Sequence, residues 1–166
     1  MSTSIPKPDT VTLVLAEKAA NILLLGVPVQ DEFRRHLQFF QSLNVRHFFV
    51  ACEKDPSLKF FEENGISVHS IEWEDGNSPP PNVVEEFLSV FYSSDRKEND
   101  FIAVACKRGY GRAPTLAAIS LIENGMKPLS ALTFLRQKNP RFITERQKSF
   151  ILEYKPQKKG KKCRIA

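Results

Sequence analysis

The sequence predicts an α/β fold, a central and mostly parallel sheet flanked by helices. Three observations predict it. Short apolar runs alternate with segments of helical period, the pattern of strands joined by crossover helices. Two of those runs, Phe48-Phe-Val-Ala-Cys52 and Phe101-Ile-Ala-Val-Ala-Cys106, read as buried strands that end alike. The length of 166 residues suits one domain with a substantial core.

The elements follow in order. Residues 1–10, polar and with two prolines, are expected to be disordered. Thr12–Leu15 and Asn21–Leu25 read as strands. Asp31 is the expected N-cap of a helix with Phe33, Leu37 and Phe40 on one face. Val45–Cys52 is a strand, and Pro56–Asn64 a short helix stopped by Gly65. Ile66–Ile71 is a strand. Glu72–Pro81 is a loop, because Pro79-Pro80-Pro81 breaks regular structure. Asn82 is the expected cap of a helix that turns Val83, Val84, Phe87, Leu88 and Phe91 inward. A strand over 101–105 precedes helices over 113–124, 128–138 and 144–154. Three regions result: a disordered segment 1–10, a folded domain 11–154 and a basic tail 155–166.

The net charge is +5, yet Lys155, Lys158, Lys159, Lys161, Lys162 and Arg164 all lie in the last twelve residues. Without those six the chain stands at −1, so the basic character belongs to the tail. No basic and aromatic residues interleave as nucleic-acid surfaces require. No apolar run spans a membrane and no signal peptide is expected. Three cysteines, an odd number, fit a reducing cytosolic setting better than a disulfide framework.

Chemistry concentrates at Cys106-Lys-Arg-Gly-Tyr-Gly-Arg112. The apolar strand lies before it. After it, Ala113-Pro-Thr-Leu opens a helix with proline near the first position. Strand ends are where parallel sheets bind ligands. There, the amides of residues 107–112 and the helix dipole converge on one point. That field favours an anion and a cysteine thiolate. Lys107, Arg108, Gly109, Tyr110, Gly111 and Arg112 form the phosphate-binding loop, and Arg112 can grip two oxygens at once. Cys106, Arg112 and the loop describe phosphoryl transfer through a phosphocysteine. The plainer alternative is a buried structural cysteine beside a surface arginine. Cleavage also needs a proton for the leaving oxygen. Asp75, in the loop before the prolines, is the candidate acid, with Glu74 and Glu72 as substitutes. No metal and no cofactor is called for.

The chain resembles the phosphatase of regenerating liver family, protein tyrosine phosphatase type IVA of the dual-specificity superfamily. The resemblance rests on Gly111-Arg-Ala-Pro114, Leu121-Ile-Glu-Asn-Gly-Met-Lys127, Phe134-Leu-Arg-Gln-Lys138, Asp75-Gly76 with Pro79-Pro80-Pro81, and Cys163-Arg-Ile-Ala166. It implies the cysteine-based phosphatase fold, a general acid at Asp75 and a regulatory cysteine at Cys52. A Cys52–Cys106 disulfide fits this, since neighbouring parallel strands run about 4.8 Å apart. Two positions depart from wider patterns. Ala105 replaces the usual histidine before the nucleophile, and the acid loop lacks the Trp-Pro that normally precedes the aspartate. Ala113, where many relatives carry a hydroxyl, is typical of the narrower family and goes with slow hydrolysis. Lys107 and Arg108 match places where relatives acting on phosphoinositides carry cations; the plainer alternative is that both face solvent. The resemblance further implies a membrane magnesium-transporter partner, and the family can trimerise.

Cys163-Arg-Ile-Ala166 fits a prenylation box of the farnesyl type. One lipid anchors weakly, and the polybasic stretch supplies the second signal on an anionic membrane. The expected location is the cytoplasmic face of membranes, with part of the protein cytosolic. The substrate would be a phosphoprotein or a phosphoinositide. Two other classes remain open: a pseudophosphatase-like binding module, favoured by Ala105, and another thiolate enzyme such as a sulfur transferase or arsenate reductase.

Overall fold

A computed structural model of the chain describes residues 5–15, 21–93, 95, 97 and 99–157. The strands are β1 (Thr12–Val14), β2 (Asn21–Gly26), β3 (His47–Val50), β4 (Ser67–Ser70) and β5 (Phe101–Cys106). The helices are α1 (Phe33–Ser42), α2 (Lys59–Glu62), α3 (Pro81–Phe91), α4 (Arg112–Glu123), α5 (Pro128–Lys138) and α6 (Glu145–Glu153). The sheet order is β1-β2-β5-β3-β4, parallel apart from the antiparallel pair β1 and β2. This is the predicted α/β architecture. β5 lies at the centre, so Cys106 emerges from the middle of the sheet at its carboxyl edge.

The two-residue period of the strands sorts the core. Ile22, Leu24, Phe49, Ile102, Val104 and Cys106 face α3, α4, α5 and α6. Leu23, Leu25, Phe48, Val50, Ala103 and Ala105 face α1 and α2. Phe40 meets Phe48 edge to face at 5.2 Å and 76° on the second side, a geometry worth about 0.5–1.5 kcal/mol beyond burial. Every residue of α4 is buried. Its polar residues Arg112, Thr115, Ser120 and Glu123 are buried with the rest, because sheet and neighbouring helices enclose the helix.

Several sequence expectations need correction. Asp31 does not cap α1. It lies inside a 3₁₀ turn, Gln30–Glu32, that runs directly into the helix, and no side-chain cap is made. Asn82 does not cap α3 either. Pro81 takes the first helical position, where its missing N–H costs nothing, and the cap falls on Pro80. The loop therefore ends one residue early. β3 stops at Val50, so Cys52 follows the strand in a bend. Within residues 5–10, Pro8 is buried and its carbonyl accepts from Val11 N at 3.1 Å.

The exit from α6 is anchored by Glu123, fully buried in α4. Its carboxylate accepts from Tyr92 OH at 2.5 Å, Tyr154 OH at 2.6 Å and Gln157 N at 2.8 Å. Burial and the Glu123 carboxylate push the Tyr154 phenol well above the ordinary tyrosine range. Lys158 to Ala166, which include Cys163 and most of the basic tail, lie outside the described residues.

Candidate active site

Loop 107–111 joins β5 to α4 and folds back against the end of β2. Gly109 makes this possible. Its φ is +80°, and a Cβ there would lie 2.7 Å from the Leu25 carbonyl carbon. Only glycine tolerates both demands. The amide of Ala113, in the first turn of α4, donates to Cys106 Sγ at 3.4 Å. The sulfur thus sits at a helix N-terminus, where unpaired amides and the dipole favour negative charge. Cys106 is 2 % exposed.

Arg112 is buried and fixed before any ligand arrives. Nη1 donates to Ala51 O at 3.2 Å and to Trp73 O at 3.0 Å. Its Nε is buried and makes no hydrogen bond among the described residues. Two carbonyls therefore orient the guanidinium and leave Nε without a hydrogen bond. A phosphate oxygen would relieve the cost of that unpaired group, about 1–3 kcal/mol.

Asp75 Oδ1 stands 3.6 Å from Arg112 Nε. Of the three loop acids, only Asp75 pairs with Arg112 among the described residues; Glu74 accepts instead from Asn77 Nδ2 at 2.9 Å, and Glu72 is exposed. The loop is held from two directions. Trp73 Nε1 donates to Asn77 O at 2.8 Å. From α6, Gln147 Nε2 donates to the same carbonyl at 3.1 Å, Arg146 Nη1 to Asn77 Oδ1 at 2.6 Å, and Thr144 Oγ1 to Gly76 O at 2.9 Å. Gln147 is fully buried and also lies against Gly111. One side chain so touches both the acid loop and the phosphate loop. The sequence reading did not reach Thr144, Arg146 and Gln147. Thr144-Glu-Arg-Gln147 is a capping-box pattern, but that signal speaks of a helix start and not of a partner some seventy residues away.

The profile of the family described as protein-tyrosine phosphatase matches residues 29–153. The type IVA A protein tyrosine phosphatase of Dictyostelium discoideum is 33% identical over 159 residues, covering 95% of both chains. The chain belongs to the protein tyrosine phosphatases, in their type IVA group. Among solved structures, a protein tyrosine phosphatase from Leishmania major aligns with a TM-score of 0.75 at 26% identity, covering 87% of this chain and 98% of that one. PTPMT1, solved in complex with PI(5)P, shares the fold with a TM-score of 0.66 at 18% identity, covering 87% and 94%.

This type IVA chain is a cysteine-dependent protein tyrosine phosphatase, and the remaining predicted residues can be placed on it. Ala105 is fully buried on the α1 and α2 side of the sheet. Ala113 is fully buried beside Cys106. Lys107 and Arg108 are exposed. Tyr110 stands at the rim, 38 % exposed, and its carbonyl accepts from Ile143 N at 2.7 Å. Cys52 is half-buried and its thiol is free, as is that of Cys106. Val50 pairs with Ala105, and Ala51 N donates to Ala105 O at 2.8 Å, which carries Cys52 to the same sheet edge as Cys106. Burial pushes the Cys52 thiol up, the Arg112 charge pulls it down, and Cys106 pushes it up again. Two thiols and one guanidinium share a field.

Proposed function

We propose that this chain hydrolyses phosphate monoesters of phosphoproteins or phosphoinositides through a phosphocysteine, slowly, at the cytoplasmic face of membranes. One observation carries the chemistry: Cys106 Sγ at the N-terminus of α4, with Arg112 Nε, which makes no hydrogen bond, and the Asp75 carboxylate 3.6 Å from it. Cys106 attacks phosphorus as the thiolate, the S–P bond forms and the P–O bond breaks. Arg112 and the loop amides hold the three equatorial oxygens. Asp75 gives its proton to the leaving oxygen. Water then attacks the phosphocysteine, returns a proton to Asp75, and frees phosphate and the thiolate. Ala113 offers no hydroxyl to that second step, so the intermediate accumulates.

The test is a burst assay with a fluorogenic aryl phosphate under reducing conditions. A stoichiometric burst followed by slow turnover, absent in Cys106→Ser, is expected. A steady rate without a burst would refute slow breakdown. No turnover with phosphate-analogue binding retained would favour a binding module, the reading to which Ala105 lends support.

Cys52 acts in this reading as the resolving thiol that protects Cys106 during oxidation. Peroxide followed by a thiol reductant should restore activity in the parent and not in Cys52→Ser. The tail anchors the enzyme through farnesyl at Cys163 and its lysines. Binding to phosphatidylserine vesicles should fall when the tail lysines are neutralised. A membrane transporter is the partner that the family resemblance suggests, and affinity capture with the Cys106→Ser chain tests it.

A further inference from the structure

β4 is one edge of the sheet, and the chemistry above makes no use of it. Its ladder to β3 is regular: Ser67 N donates to Arg46 O at 2.8 Å and Ile71 N to Val50 O at 3.0 Å. The two-residue period therefore turns the N–H and C=O groups of Val68 and Ser70 away from β3. On that side they meet no partner among the described residues. Edge strands are commonly blunted by proline, lysine, an inward charge or a bulge. Ser67-Val-His-Ser70 has none of these and pairs residue for residue with β3.

A cavity of about 670 Å³ lies beside this edge, on the α2 side. Val68 and Ser70 line it from β4, and Lys54, Lys59, Glu62 and Glu63 line it from the preceding segment. Residues 51–63 descend from the carboxyl end of β3 towards the amino end of β4. Lys54 and Lys59 therefore stand towards the carboxyl end of β4, and Glu62 and Glu63 towards its amino end. All four are exposed and enter no ion pair among the described residues.

Open backbone groups with cations at one end and acids at the other complement the same edge reversed. We propose that β4 pairs antiparallel with β4 of a second copy, about a two-fold axis that passes through the sheet at His69. Val68 and Ser70 of the second copy then form a hydrogen-bonded pair, as do Ser70 and Val68 of the second copy. The lysines of each copy meet the glutamates of the other. A parallel pairing would set like charges together, and the same side chains oppose it. β3 stands between this edge and β5, so both phosphate loops stay open. The axis also keeps α4 of both copies on one side of the joined sheet. Gln157, held on Glu123 of α4, leaves from that side in each copy. This pairing rests on the fold and not on the phosphatase chemistry. The strand is short, so the dimer is reversible.

Sedimentation equilibrium of the full chain under reducing conditions tests it. The average mass should rise from monomer towards dimer across a concentration series. Ser70→Pro removes an outward N–H at an edge position that tolerates proline. By symmetry two hydrogen bonds are lost, so association should weaken about tenfold or more, with the unfolding transition retained. Lys54→Glu with Lys59→Glu should leave a monomer, and so should Glu62→Lys with Glu63→Lys. An equimolar mixture of those two variants should associate again. Amide exchange in the unsubstituted chain needs no variant to fold: Val68 and Ser70 should exchange more slowly as concentration rises. A monomer at every concentration, or amides at Val68 and Ser70 indifferent to concentration, overturns the pairing and leaves this edge to an extended peptide of another protein. An assembly that survives Ser70→Pro and both charge reversals lies on another surface, and overturns it as well.

Discussion

Gln147→Ala isolates the link between α6 and the acid loop. Two side-chain hydrogen bonds disappear: Gln147 Nε2 to Asn77 O at 3.1 Å, and Thr144 N to Gln147 Oε1 at 3.0 Å. At about 1 kcal/mol each, they predict a loss of about 2 kcal/mol in stability. Asn77 O keeps its bond from Trp73, so the loop should loosen without detaching. Looseness matters because Asp75 is three-quarters exposed and has little packing of its own to hold it near Arg112. General-acid assistance is worth ~10²- to 10⁴-fold when the leaving group is basic and little when it is not. A partly mispositioned acid should thus lower kcat about tenfold on phenyl phosphate and less than twofold on an activated, fluorinated aryl phosphate. Single-turnover burst rates on both substrates give the ratio, with thermal unfolding to verify folding at assay temperature. Gln147 also lies against Gly111. Equal losses on the two substrates, together with weaker vanadate binding, would mean that it supports the phosphate loop, and the acid-loop argument would fail.

Other substitutions probe the remaining supports. Gly109→Ala forces a Cβ to 2.7 Å from the Leu25 carbonyl carbon at a positive φ; vanadate affinity should be lost and the unfolding midpoint should drop, and unchanged affinity would show that the loop can retreat from β2. Glu123→Ala strips three donors of a buried acceptor, and should cost about 3–5 kcal/mol by urea unfolding; a change under 1 kcal/mol would contradict an anchoring role. Burial holds His69 below its ordinary value near 6.5. The folded state then binds this proton less readily than the unfolded state, so stability should fall as pH drops through about 6.5 and level off below the folded value. His69→Gln should remove that part of the pH dependence of the urea midpoint, and an identical profile in the variant would exclude His69 as its source.

The parts of this molecule that were readable in its sequence are those with a period or a contiguous signal. A parallel sheet could be expected because runs such as Phe101–Cys106 are buried on both faces, and the loop from Cys106 to Arg112 carries thiol, glycines and arginine within a few residues. Caps were less legible, since Asp31 and Asn82 are good capping residues that the chain passes by: a 3₁₀ turn and a proline at the first helical place satisfy those helix starts by other means. What fixes the active site was invisible for a different reason. Arg112 is oriented by the carbonyls of Ala51 and Trp73, and every residue has a carbonyl, so no side-chain pattern marks these two. The acid loop, lacking the usual Trp-Pro, is held instead by Trp73 from within and by Thr144, Arg146 and Gln147 from α6. Asp75 is three-quarters exposed on a loop with a single indole anchor, and tertiary bonds from a later helix hold that loop. Catalytic competence in this chain therefore depends on how firmly α6 is docked. α6 is docked in turn through Tyr154 on Glu123, at the point where the basic tail departs.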